Sequence, residues 1–176
     1  MNLPNLLSFF RLFLTIFFIV LAANGQFRFA LLLFVLQAVS DMLDGFFARR
    51  MGTKTNLGAY LDPLADKVML ASSYIVLCFK SVVPLWLVVI VLARDFIISL
   101  GYLVLLKMGL KTSPVPSLIS KATTVFQMLT IVYVLWAVHR GLDGFFYWAT
   151  ALLTVASGLQ YIAAGWTVLS RKEEVV

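Results

Sequence analysis

The sequence predicts an all-α polytopic membrane protein, with six transmembrane helices and a short N-terminal interfacial helix, forming one domain over residues 1–176. Three observations carry that expectation. Hydrophobic residues make up 62% of the 176-residue chain and charged residues only 12%, about half the charged share of a soluble domain. Mean hydropathy is +0.99. Six apolar stretches follow one another, each close to the ~20 residues that a spanning helix requires. So few charges cannot solvate a globular surface, and lipid is the expected solvent.

The first stretch is Leu7–Ala23. Ahead of it, Pro4-Asn5 with Leu3, Leu6, Leu7, Phe9 and Phe10 reads as an interfacial helix entering the span. Arg11 before an apolar core and Ala22-Ala23 after it give a signal-peptide look. Five further spans and the lack of a strong cleavage pattern predict that the segment is retained. Phe29–Phe47 and Ala59–Phe79 are the second and third spans, joined through the polar turn Gly52-Thr53-Lys54-Thr55-Asn56. Val82–Leu106 and Leu118–Val138 are the fourth and fifth, separated by the breaker cluster Ser113-Pro114-Val115-Pro116-Ser117. The sixth, Phe145–Leu169, contains Ala151, Gly158, Ala163, Ala164 and Gly165, small residues that permit close packing within the chain or in a homodimer.

Orientation follows from the bases. Arg11, Arg49, Arg50, Lys54, Lys107, Lys111, Arg171 and Lys172 fall on one side, against Arg28, Lys80 and Arg140 on the other. Cytoplasmic loops carry the excess, so both termini are expected in the cytoplasm. The net charge of +6 comes from these scattered residues, without a basic helix or an aromatic-basic motif. Nucleic acid is therefore not an expected partner, whereas anionic lipid headgroups are. Cys78 lies alone in an apolar run and reads as a small buried residue. The tryptophans read as interfacial anchors or packing residues.

Five of the eight acidic residues stand within or at the edge of apolar spans: Asp41, Asp44, Asp62, Asp66 and Asp95. One aspartate at the centre of a lone spanning helix costs about 2.5–3.5 kcal/mol on insertion scales, so several together imply water, partners or metal. Pairing with Lys67 or Arg94 accounts for one or two of them but not for their spacing. Asp41 and Asp44 are three apart and share a helix face. Gly45 and Ala48 lie on or beside that face, where little side-chain bulk admits a backbone or ligand. Gly58, Asp62 and Asp66 recur every four residues on the next span. The short Arg50–Leu57 connection makes the two helices antiparallel neighbours, so the acidic faces converge near one boundary. Four carboxylates facing one cavity repel unless cations neutralise them. Ligation by oxygen alone suits Mg²⁺ or Mn²⁺, and such an ion suits a phosphate-bearing substrate.

Asp41-Met-Leu-Asp44-Gly45-Phe-Phe-Ala48-Arg49, eight residues to Gly58, then Asp62 and Asp66, resembles the CDP-alcohol phosphatidyltransferase signature D-x2-D-G-x2-A-R-x8-G-x3-D-x3-D at every fixed position. The six-span layout is similar to the family's core, and Pro4-Asn5 through Ser8 and Arg11 looks like the start of bacterial members. The resemblance implies phosphatidyl transfer from CDP-diacylglycerol to an alcohol, with release of CMP. It implies that Asp41, Asp44, Asp62 and Asp66 hold divalent metal, two ions of Mg²⁺ or Mn²⁺, and that Asp66 is the general base. Asp44, Gly45, Ala48, Arg49 and Gly58 would contact the CDP-lipid. The implied location is the bacterial inner membrane, with the active site facing the cytoplasm.

Two acceptors fit. Glycerol 3-phosphate would make the chain a phosphatidylglycerophosphate synthase, and phosphatidylglycerol a cardiolipin synthase. Arg94 and Lys121 are the candidate acceptor contacts, each with a structural alternative: pairing with Asp95 for Arg94, snorkelling for Lys121. Arg94-Asp95 and Ser120-Lys121 look more like cardiolipin synthases, while short bacterial chains of this kind more widely take glycerol 3-phosphate. An ion or proton transporter is the non-enzyme alternative, since intramembrane acids also build ion pathways. Its acids would spread through the membrane depth instead of clustering beside Gly45, Ala48 and Arg49. An intramembrane prenyltransferase would lack the D-G-x2-A-R run.

Overall fold

The computed structural model describes the backbone of residues 3–51, 56–107, 117–137 and 141–173, and the side chains of 10–40, 64–104, 107, 117–137 and 141–167. The described residues form six α-helices and no strand: α1 (Leu3–Ala23), α2 (Phe27–Met51), α3 (Asn56–Phe79), α4 (Leu85–Lys107), α5 (Leu118–Ala137) and α6 (Asp143–Glu173). The opening residues are not a separate interfacial helix. They run without a break into α1, because Pro4 sits in the first turn, where a missing N–H breaks no ladder bond.

Two helix ends are stopped by the same device. At the end of α1 the Gln26 N–H donates to the Leu21 carbonyl and the Gly25 N–H to that of Ala22, at 2.9 and 3.0 Å. That pair of bonds is a Schellman cap, and Gly25 supplies the left-handed φ of 75° it requires. At the end of α3 the Val82 N–H donates to Leu77 and the Ser81 N–H to Cys78, at 3.0 and 2.8 Å. Here a serine holds the left-handed position, with φ 57°. Val82 and Leu77, the positions at which an apolar contact commonly accompanies this cap, are both buried.

The helices fall into two compact units. The first contains α1, α2, α3 and the final turns of α5 from Ile131. In it α1 packs against both α2 and α3. Phe13, Ile16, Phe17 and Val20 form an exposed stripe on α1, while Arg11, Thr15, Phe18 and Ala22 are buried on the opposite stripe. Phe18 meets Phe34 of α2 with ring centroids 5.9 Å apart. Ala65, Met69, Tyr74 and Leu77 of α3 are buried within the same unit.

The second unit contains α4, α5 up to Thr130, and α6. Helix α4 packs on α6, and Gly101 admits the ring of Tyr161: a Cβ there would stand 2.9 Å from Tyr161 Cε1. Between α5 and α6 the contact is polar. Ser117 donates to Gln160 Oε1 at 2.8 Å, the Thr123 hydroxyl reaches the Leu153 carbonyl at 3.0 Å, Gln127 Nε2 donates to Thr154 at 3.2 Å, and Thr130 meets Thr150 at 2.6 Å. Thr123, Thr130, Thr150 and Thr154 are fully buried. Thr123, Thr124 and Thr130 also reach back to the carbonyls of Ile119, Ser120 and Phe126, four residues earlier in α5. Thr130 spends its one proton on Phe126, so Thr150 is the donor in their pair.

Among the described residues, Leu85–Val104 and Leu118–Ala137 are long and apolar enough to cross a membrane, and Phe10–Ala23 and Phe27–Ser40 are shorter apolar helical stretches. Large apolar side chains are exposed along both units, among them Phe29 and Leu32 on α2, Phe96 on α4 and Leu152 and Trp166 on α6. A surface of this kind needs an apolar environment to cover it.

Candidate active site

Asp41, Asp44, Gly45, Ala48 and Arg49 lie in the α2 backbone, and Gly58 and Asp62 in that of α3. Their side chains are outside the described residues. Asp66, one turn after Asp62 on α3, is described. Its side chain is 33% exposed, and its Oδ1 accepts a hydrogen bond from Arg11 Nη1 of α1 in an ion pair. Arg11 is only 3% exposed. The base that sequence reasoning counted among those flanking the spans is thus buried against a member of the acidic constellation.

Arg11 is in turn fixed to α2. Its carbonyl accepts from the Thr15 hydroxyl at 2.9 Å, which shares its one proton with Gln37 Oε1 at 3.0 Å. Thr15 and Gln37 are both buried. Gln37 stands one helical turn before Asp41. A buried polar chain therefore runs from Gln37 on α2, through Thr15 and Arg11 on α1, to Asp66 on α3. None of these three partners was expected at the site. Gln37 was the legible one, since it continues the Asp41 face one turn deeper.

The donor set fits a divalent ion by its chemistry. The four carboxylates offer only oxygen, and the sequence from Asp41 to Asp66 contains no His or Cys. Among the described residues no three His, Cys, Asp or Glu side chains converge on one point.

Arg94 and Lys121 belong to the second unit. Arg94, on α4, is 8% exposed. Its Nη1 donates to Asp95 at 2.8 Å, and its Nη2 donates to Ser120 of α5 at 2.7 Å and Ser157 of α6 at 2.8 Å. Gly158 leaves room for the stem, a Cβ there falling 3.7 Å from Arg94 Cγ. The guanidinium ties three helices together, and the Asp95 partner anticipated as the structural alternative is present. Its Nε is buried without a hydrogen-bond partner among the described residues, as is the Tyr161 hydroxyl. Lys121 is exposed near the start of α5.

Residues 1–156 match the family model described as CDP-alcohol phosphatidyltransferase. The chain is 36% identical over 174 aligned residues to the CDP-diacylglycerol–glycerol-3-phosphate 3-phosphatidyltransferase of Escherichia coli (strain K12), covering 93% of this chain and 94% of the relative. Proteins of the same description from Shigella flexneri serotype 5b and Sodalis glossinidius are 36% and 37% identical, with the same coverage. The acidic run on α2 and α3 lies inside the matched residues, and the chain belongs to the CDP-alcohol phosphatidyltransferase family of enzymes.

Proposed function

We propose that the enzyme transfers the phosphatidyl group of CDP-diacylglycerol to glycerol 3-phosphate, releasing CMP and forming phosphatidylglycerophosphate. The observation that carries this reading is the complete signature from Asp41 to Asp66, in a chain matched almost end to end by relatives named for glycerol 3-phosphate. The acceptor hydroxyl oxygen bonds to the phosphatidyl phosphorus, the bond from that phosphorus to the CMP oxygen breaks, and the hydroxyl proton passes to Asp66. A carboxylate one-third exposed on α3 is reachable by a small acceptor, as a base must be. Asp41, Asp44, Asp62 and Asp66 would hold two ions of Mg²⁺ or Mn²⁺, which supply charge neutralisation of the diphosphate and of the leaving CMP. Asp44, Gly45, Ala48, Arg49 and Gly58 would contact the CDP-lipid. Arg94 and the exposed Lys121 would each contribute positive charge to the acceptor phosphate.

The reading includes one domain over residues 1–176, six helices in the bacterial inner membrane with both termini cytoplasmic, and assembly as a homodimer among membrane lipids. The cardiolipin-forming alternative keeps one specific support, the Arg94-Asp95 and Ser120-Lys121 pairs. The test gives purified protein CDP-diacylglycerol and Mg²⁺ with glycerol 3-phosphate or phosphatidylglycerol, and identifies the lipid product by mass. Phosphatidylglycerophosphate is expected, abolished by chelating the metal and by Asp66→Asn in a protein that still folds. Cardiolipin as the product would replace the acceptor assignment, and normal turnover by Asp66→Asn would remove Asp66 as the base.

A further inference from the structure

We propose that Arg11 is a positioning residue for the transfer reaction, holding the Asp66 carboxylate in the orientation from which it takes the acceptor's proton. The proposal rests on the reading of Asp66 as the base and adds a residue from a different helix, outside the acidic run.

The burial pattern is the first support. A base near the end of a membrane helix ordinarily extends its charged tip to the headgroups. Arg11 does the opposite: it lies on the buried stripe of α1 and is far less exposed than the aspartate it meets, 3% against 33%. A buried guanidinium needs partners, and one that Arg11 has here is the carboxylate assigned to the chemistry.

Geometry is the second. An aspartate carboxylate turns freely about χ2, and a bond to Oδ1 selects one setting. Arginine does this better than lysine, because its donors are fixed in a planar fork whereas an ammonium is a rotating point charge. The fork is itself anchored. Thr15 holds the Arg11 carbonyl and touches Gln37 on α2, one turn before Asp41. Helix α1 thus references the base on α3 to the helix that carries the first two aspartates. Positional errors near 1 Å at a reacting group cost about 10²-fold in rate, which is the scale such a brace controls.

The experiment compares Arg11→Lys with Asp66→Asn and the unaltered full-length enzyme in detergent, measuring kcat, KM for each substrate, CMP binding without turnover, and melting temperature. Arg11→Lys is expected to lower kcat by about 30-fold or more. KM values should stay within about twofold, with CMP affinity and melting temperature preserved. Unchanged kcat would overturn the proposal. So would a tenfold rise in KM for either substrate at constant kcat, which would make Arg11 a direct substrate ligand. Should Arg11→Lys not fold, Thr15→Val serves instead: it leaves the ion pair's own atoms in place and should reduce kcat about threefold or more at constant KM, and unaltered kcat refutes the brace. The Asp66→Asn arm separates the two claims. If that variant turns over normally, the base reading fails and this proposal falls with it. If it is inactive while Arg11→Lys is normal, only the positioning role is lost.

Discussion

Replacing Arg94 by Met should destabilise the α4–α5–α6 unit, and adding Asp95→Asn to the same chain should restore part of the loss. The magnitude follows from the bonds the guanidinium makes. Ser120 and Ser157 lose a charged donor but keep small hydroxyls that can turn to local carbonyls, about 1 kcal/mol each at most. Asp95 has no such recourse. Its side chain is 17% exposed, and without Arg94 its carboxylate is stranded. Removing one member of a buried pair costs about 3–5 kcal/mol, most of it the uncompensated charge. Asparagine removes that charge, so Arg94→Met/Asp95→Asn should recover about 1–3 kcal/mol relative to Arg94→Met. Unfolding by SDS titration in mixed micelles orders the three proteins: unaltered, then the double variant, then the single. A double variant less stable than Arg94→Met would refute the account, because it would mean that Asp95 contributes on its own and not as the partner of Arg94. Arg94→Lys adds a functional reading, since an acceptor role for Arg94 predicts that this variant raises KM for glycerol 3-phosphate beyond any change in stability.

Two further stability predictions come from backbone detail. At Gly101 an added Cβ meets Tyr161 at 2.9 Å, whereas at Gly158 the nearest atom is Arg94 Cγ at 3.7 Å. Both alanine substitutions gain up to ~1 kcal/mol of helix propensity, but Gly101→Ala pays an overpacking cost of about 1–3 kcal/mol. Detergent melting should therefore place Gly101→Ala below Gly158→Ala, and the reverse order would rule out tight α4–α6 packing at Tyr161. Ser81 holds φ 57° in the cap of α3. Ser81→Gly should raise stability by about 1 kcal/mol, read as a higher melting temperature; a lower one would show that the serine side chain, not the turn, governs that site.

All six helices were legible from apolar length, and the ends differ from expectation by a few residues for local reasons. Helix α4 starts at Leu85 rather than Val82 because Ser81 to Pro84 complete the preceding cap and turn. The acidic run was legible because the spacings of Asp41, Asp44, Gly58, Asp62 and Asp66 are local, within one or two helical turns on each span. The same acids, with Gln37, Lys67 and Arg49, dilute the apolar character of α2 and α3 and so weaken the very signal that marks a span. Arg11 was not legible as a site residue. A lone cation in an apolar stretch fits topology rules as well as pairing, and its partner lies 55 residues along the chain. A further signal was readable along α5: Ser117 just before the helix, then Ser120, Thr123, Gln127 and Thr130, recur every three or four residues as a single polar stripe.

That stripe has a consequence for how the chain enters the membrane. A helix inserts before its later partners have been synthesised, and a hydroxyl facing lipid with its proton unused makes insertion less favourable. Thr123, Thr124 and Thr130 each direct a hydroxyl to the carbonyl one turn back. These three hydroxyls of α5 can therefore enter the bilayer with their protons already used, while Gln127 Nε2 finds Thr154 only once α6 is in place. When α6 arrives, Thr150 donates to the lone pairs that Thr130 has left. The polar seam is thus compatible with stepwise biogenesis, because its buried threonines hold acceptor capacity in reserve during insertion and only groups such as the Gln127 amide wait for a partner on α6.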